Sequence, residues 1–199
     1  MGFLDLDKNF AFYAAYHSSR INIAIHMIFV WPIFFTSILL INFIPTPFNL
    51  PHINLPLFGN NYTLIFNFGF LFTLIYVVSY VFLDYKAGSL AALLCFFCWV
   101  ASSVLASVLG FQLAWKVVLV VQLISWTAQF IGHGLFERRA PALLDNILQA
   151  FLMAPFFVLF EALQIFFGYE PYPGFHDRIT LLVDVETEAW RSKNAKLLP

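Results

Sequence analysis

An all-α, polytopic integral membrane helical bundle is the fold class this sequence predicts, and three observations carry the prediction. Of 199 residues, 61% are hydrophobic and 20% aromatic while 11% are charged, which leaves too few polar side chains to cover a water-soluble globule. No charged residue stands between Arg20 and Asp84. The apolar stretches so delimited match the ~20 residues a helix needs to cross the hydrocarbon layer. A free cytosolic enzyme is thereby excluded. The formal net charge of −1 provides no basic field to hold a polyphosphate, so no nucleic-acid partner is expected.

The chain opens with residues 8–17, which read as a short interfacial helix whose Phe10, Phe12, Tyr13 and Tyr16 suit the headgroup layer. Asp5 and Asp7 occupy the place where a cleaved leader would be basic, so none is expected. Four spans follow, at about residues 21–44, 62–83, 87–109 and 117–135. Residues 45–61 hold four prolines together with Gly59, Asn60 and Asn61, and read as a loop because proline removes a backbone donor and ends helices. A fifth apolar segment within 142–167 carries Glu161 and Gln164 and reads as re-entrant or buried in the bundle. Charges resume at Glu170, so residues 169–199 read as a polar cytosolic tail beyond a membrane-embedded domain, 1–168. Lys8, Arg20, Lys86, Arg138 and Arg139 mark one face as cytosolic and put 45–61 opposite, with Lys116 as the one dissenting charge. Cys95 and Cys98 lie among Leu94, Phe96, Phe97 and Trp99, neighbours that disfavour a thiolate, and read as packing residues.

Polar groups at membrane depth are costly, so each pairs inside the bundle or lines a functional cavity. They cluster here in two places more than a hundred residues apart: His17, Arg20, Asn22 and His26 enter the first span, while Gln129, His133, Glu137, Arg138 and Arg139 leave the fourth. The topology puts both groups at one face. Spacings of four align Gln129, His133 and Glu137 on one helix face and Asn22 and His26 on another; two such stripes facing each other can hold a metal. His17 stands about 13 Å of axial rise from His26, nearly half a turn out of phase on a straight helix. A shared ion therefore predicts a helix break between Tyr16 and Arg20, where Ser18 or Ser19 can cap the next helix. Glu161, a carboxyl within an apolar segment, must be neutral or paired, with Arg138, Arg139 or the metal site as partners. Asp145, Asn146 and Gln149 make a polar seam toward the site or the headgroups. His52 reads as a solvated loop residue, and His176 as a further ligand only if the tail folds back.

The pieces Phe12-Tyr13-Ala14-Ala15-Tyr16-His17, Asn22, His26, the block Gln129 to Leu143 with its Gly132-His133-Gly134-Leu135-Phe136-Glu137-Arg138-Arg139-Ala140-Pro141 core, Asp145-Asn146 and Ala154-Pro155 with Glu161 resemble the fungal 2-hydroxy fatty acid dioxygenases, a family once catalogued as a domain of unknown function. The likeness runs from about residue 5 to 168. Ser18-Ser19 departs from it, as do residues 45–61 and the tail with His176. The resemblance implies a multi-pass endoplasmic reticulum membrane enzyme that uses Fe(II) and O₂ to shorten a 2-hydroxy long-chain fatty acid by one carbon, in the breakdown of phytosphingosine. His17, His26 and His133 match the family's histidines, with Glu137 as a fourth ligand or as the acceptor orienting His133. Arg20, Asn22, Gln129, Arg138 and Arg139 are the expected substrate-facing residues, with Asn146 and Glu161 behind them. Imidazole and carboxylate ligands suit non-haem Fe(II) and leave positions for a bidentate hydroxy acid and O₂. The rival readings are a hydroxylase or desaturase on the same scaffold, a lipid-binding protein without chemistry, and a bis-histidine haem protein.

Overall fold

The fold is that of a computed structural model that describes residues 4–57, 59–141 and 147–195. Helix α1, Leu6–Ala14, is capped by Asp5, whose carboxylate accepts the Lys8 N–H at 3.2 Å. That bond holds the Asp5 carboxyl below its ordinary range. Phe10 and Tyr13 do not lie on an outer surface but pack into the interior, Phe10 against Phe157, Phe160 and Phe175. The helix stops at Ala14 and the chain restarts as α2, Arg20–Ile41, so the break falls where a shared ion requires it.

Two expectations are corrected next. The fold is not wholly helical, and residues 45–61 are not all loop: β1, His52–Leu57, pairs antiparallel with β2, Asn60–Ile65, in a register running from His52 opposite Ile65 to Leu57 opposite Asn60. Paired residues share a face, so Ile53 with Leu64 and Leu55 with Tyr62 form an apolar side, through which Leu64 enters the core. That period-two pattern outweighs Pro56, which a two-stranded sheet tolerates because both strands are edges. The second apolar helix, α3, therefore starts at Phe68 rather than Tyr62 and ends at Leu83, about 24 Å long. Asn67 caps it through Gly69 N–H and Phe70 N–H, and its amide donates to the Asn42 carbonyl at 3.2 Å.

The four expected spans fall on three separate helices. Among the described residues, three helices are long and apolar enough to cross a membrane: Arg20–Ile41, Tyr85–Glu137 and Ala150–Phe167. The expected third and fourth spans are two arms of one element, α4, Tyr85–Ile131, which bends at Gly110 (φ 62°, ψ 167°). Both arms lie against α2. Asn42 donates to Ser102 on the first at 3.2 Å; Gln122 on the second donates to the Ile33 carbonyl and the Thr36 and Ser37 hydroxyls at 3.0, 2.9 and 3.2 Å. Cys98 and Leu105 wall a cleft from one side, Val117 and Val121 from the other, although a straight helix would hold Cys98 and Val121 about 34 Å apart.

A π-helical turn, Gly132–Glu137, continues the second arm; α5, Ile147–Phe167, and α6, Phe175–Ala195, complete the chain. The residues flanking α5 attach to the two ends of the short α1. Arg139 donates to the Ala15 carbonyl at 2.7 Å, and Tyr172 donates to Asp7 at 2.7 Å. The chain thus approaches and leaves α5 at one end of the bundle. Far from trailing free, α6 buries Phe175 and Ile179 in the same core, and Arg178 pairs with Asp7 at 2.8 Å. Large apolar side chains such as Ile28, Leu71, Phe97, Val120 and Leu123 face outward, the arrangement of a helix bundle solvated by lipid.

The Gly110 conformation lies in a region open essentially to glycine alone, and no neighbour crowds the position. Gly110→Ala should therefore cost about 1–3 kcal/mol through backbone strain only, read as a lowered thermal inactivation temperature in lipid nanodiscs; an unchanged temperature contradicts the bend.

Candidate metal centre

Three imidazoles meet at the end of the bundle that carries α1. His17 comes from the break after α1, His26 from the second turn of α2, and His133 from the π-helical turn. Their ring centroids stand 4.3, 5.1 and 4.9 Å apart, and the planes are inclined by 81°, 70° and 83°. Rings so inclined meet edge to face and do not stack. One ligand atom from each lies within 4.8 Å of the others, and all three residues are buried.

The local sequence sets each ring. His17 Nδ1 lies 2.7 Å from the Tyr13 carbonyl and His26 Nδ1 2.9 Å from the Asn22 carbonyl. A carbonyl only accepts, so both Nδ1 atoms carry the proton and both Nε2 atoms present lone pairs. Tyr13 also stacks on His17, ring to ring at 4.0 Å. The π-helical turn widens the ladder at His133, a distortion common at functional sites. Gly132 lets that turn approach α2, since a Cβ there would collide with the Asn22 side-chain oxygen.

Glu137 does something other than join the imidazoles. Its carboxylate accepts from the Ser18 N–H, from Ser18 Oγ at 2.8 Å and from the Ser19 N–H at 3.0 Å, with Asn22 Nδ2 at 3.4 Å. It caps α2 from outside. Ser19 holds the N-cap position, yet its hydroxyl makes no capping bond; the anion at the helix N-terminus arrives from residue 137 instead, favoured by the unpaired N–H groups and the helix dipole there.

Of the other expected residues, Asn22 is fully buried and Gln129 is 6% exposed, with its Nε2 unpartnered among the described residues. Arg139 lies flat on Tyr16, 3.5 Å from the ring centre, with Trp190 beyond at 4.8 Å. Arg20 and Arg138 are exposed at this end. Glu161 is buried and accepts from the Tyr13 hydroxyl at 2.9 Å; burial and that carboxylate push the Tyr13 phenol well up, keeping it a donor. His52 and His176 are exposed and stand outside the imidazole group. Asp145, Asn146 and the Gln149 side chain fall outside the described residues. Tyr13 is the site residue that sequence reasoning assigned to the headgroups; its spacing of four from His17 was the available signal.

The residues fit a metal. His17 Nε2 and His133 Nδ1 are buried polar atoms with no hydrogen-bond partner among the described residues, and such groups demand a partner. Neutral imidazole is a ligand for iron, zinc, copper and nickel. From this end a cavity runs into the bundle. Gln129 and the imidazoles line its head; Val30, Ile33, Phe34, Phe130, Phe151 and Phe157 line its length.

Fold and site together define a helical protein of membrane character with a three-histidine candidate metal centre beside a largely apolar cavity. A family model described as Mpo1-like, 2-hydroxy-palmitic acid dioxygenase Mpo1-like, matches residues 3–165, and the chain belongs to that family. It is 32% identical over 162 residues to the 2-hydroxy-palmitic acid dioxygenase MPO1 of Saccharomyces cerevisiae, an alignment covering 81% of this chain and 82% of the yeast protein. No solved structure matches it.

Glu137→Ala should weaken metal binding about 10–100-fold, the usual effect of removing an outer support of a ligand set, as read by anaerobic metal titration. Burial, with His26 beside it, pulls the His17 pKa well below its ordinary 6.5. A histidine held neutral by folding contributes fully above its unfolded value and loses that contribution as pH falls below it. The metal-stripped protein should accordingly lose thermal stability between about pH 6.5 and 5, measured by a pH series of unfolding scans; a flat series contradicts a neutral buried site.

Proposed function

We propose that this protein is an Fe(II)-dependent dioxygenase that converts 2-hydroxy long-chain fatty acids to acids one carbon shorter. The observation that carries the reading is the group of three buried imidazoles at the head of an apolar cavity, in a member of a family described as a 2-hydroxy-palmitic acid dioxygenase. The overall change balances without a further reductant: R–CH(OH)–COOH + O₂ gives R–COOH + CO₂ + H₂O. His17, His26 and His133 would hold the iron, which when bound would supply redox-active Lewis-acid chemistry.

The chain's own groups do the rest. Tyr13 and Asn22 carbonyls hold two imidazoles in the ligand tautomer. Glu137 locks the break that lets His17 and His26 face one point. The Gln129 amide, buried in the cavity wall without an acceptor among the described residues, donates to the carboxylate or hydroxyl of the substrate, a bond that an acid placed there supplies. Arg20 and Arg138 at the exposed rim draw the anionic head to the mouth, while the aromatic walls keep water from the chain. The protein sits in the endoplasmic reticulum membrane with this end toward the cytosol, a placement supported by Lys8, Arg20, Lys86, Arg138 and Arg139 gathering there.

Protein purified in nanodiscs, loaded with Fe(II) and given 2-hydroxypalmitate and O₂, should yield the acid one carbon shorter by mass spectrometry and lose that activity with a chelator. His133→Ala should abolish both stoichiometric iron and turnover while the protein stays in the membrane. A product of unchanged chain length, or full turnover in the variant, overturns the proposal.

A further inference from the structure

His26 stands on a helix and His133 in a π-helical turn, but His17 lies beyond the end of α1. Its aim is set by one neighbour. The Tyr13 carbonyl accepts from Nδ1 at 2.7 Å, and the Tyr13 ring lies against the imidazole face, with centroids 4.0 Å apart and planes inclined by 20°. The hydrogen bond fixes one edge of the imidazole and leaves it able to swing about that contact; the stacked ring opposes the swing. Tyr13 is held in turn. Its ring packs on Phe10 and Phe157, with centroids 5.9 and 5.3 Å away, and its hydroxyl donates to Glu161 on α5 at 2.9 Å. Both members of that pair are buried. Elsewhere α5 receives tyrosine hydroxyls on its backbone: Tyr76 donates to the Phe151 carbonyl and Tyr80 to the Leu152 carbonyl. A tie between helices therefore needs no carboxyl, and a carboxyl in an apolar helix is costly to bury. Tyr13 lines the cavity beside His17 and Glu161 does not, so the carboxyl acts on the centre through the phenol.

We propose that Glu161 and Tyr13 are a positioning pair for the metal centre, through which α5 sets the orientation in which His17 presents Nε2 to a divalent cation. The Tyr13 carbonyl holds the edge of the imidazole, the Tyr13 ring holds its face, and Glu161 holds the ring. A hydrogen bond to a carboxylate is shorter and stronger than one to a neutral acceptor, which suits a ring whose displacement would move a ligand. The pair makes α5, which supplies none of the three imidazoles, a support of the site. Outer supports of a ligand set change metal affinity about 10–100-fold; Glu161, acting through one intermediary, falls at the low end, about 10-fold. This inference rests on the proposed metal centre, while the chain of contacts from Glu161 to His17 belongs to the fold.

The test titrates Co(II), a coloured stand-in for Fe(II), into the full-length metal-free protein in nanodiscs without oxygen. It reads the dissociation constant and the visible absorption bands, with thermal unfolding of the metal-free protein alongside. Glu161→Leu should weaken Co(II) binding about 10-fold and shift the bands. Glu161→Gln, whose amide oxygen still accepts from the phenol, should restore both. The double variant Tyr13→Phe with Glu161→Leu removes donor and acceptor together, a change close to neutral for folding. It should keep wild-type thermal stability and still bind Co(II) about 10-fold more weakly, and it decides if Glu161→Leu alone fails to fold. Wild-type affinity in the double variant, or Glu161→Gln binding no tighter than Glu161→Leu, overturns the positioning pair and leaves the metal centre standing. A wild-type protein that binds no Co(II) overturns the centre and the pair with it.

Discussion

The carboxylate of Glu137 at the amino end of α2 is the contact on which the site depends. A chain that breaks between two helices within a mostly apolar bundle leaves N–H groups that must find acceptors. Ser18 and Ser19 donate theirs to Glu137, so the break is satisfied only when the π-helical turn of residues 132–137 is docked against it. The same docking brings His133 to His17 and His26. Imidazoles from the start of the chain and from its later third are assembled by the bond that completes the backbone.

The helices that position this junction are held by few polar ties and by close packing. In lipid, burying apolar surface gives helices little reason to associate, so interhelical hydrogen bonds and van der Waals fit carry more of the task. Gln122 bridges α2 and the second arm of α4, Asn42 bridges α2 and the first arm, and Tyr76 and Tyr80 donate to α5 carbonyls at 3.2 and 2.8 Å. Asp84 turns α3 into α4, accepting from the Ala87 N–H and from the Tyr169 hydroxyl, both at one carboxylate oxygen. The Gln122–Ser37 and Tyr76–Phe151 ties involve residues that line the cavity, so elements that hold the bundle also hold the shape a ligand would meet.

Arg139 shows how an expected substrate group can be committed to structure. Its guanidinium covers Tyr16 and donates to the Ala15 carbonyl at the end of α1, a planar contact that arginine makes and lysine does not. Arg20 and Arg138 stay exposed, the latter in a left-handed backbone conformation with φ 52°. Tyr13 and Glu161 likewise form a buried pair behind His17, linking α1 to α5 at the wall of the centre.

Much of this was legible in the residues themselves. The absence of charge from Arg20 to Asp84 and the length of the apolar runs determine a lipid-solvated helical fold, because a bilayer penalises an unpaired charge wherever it falls. The phase mismatch between His17 and His26 required a break, and the four-residue spacings required polar stripes. The hairpin of residues 52–65 was hidden because prolines mask a short alternation whose value lies in the surface it covers. The spacing of Gln129, His133 and Glu137 on one helix face said nothing of a π-helical turn that sends the imidazole to one partner and the carboxylate to another. Periodicity reports which residues share a face, a local property of one helix. Which distant group satisfies an exposed N–H, and which imidazoles meet, is settled only when separate helices pack.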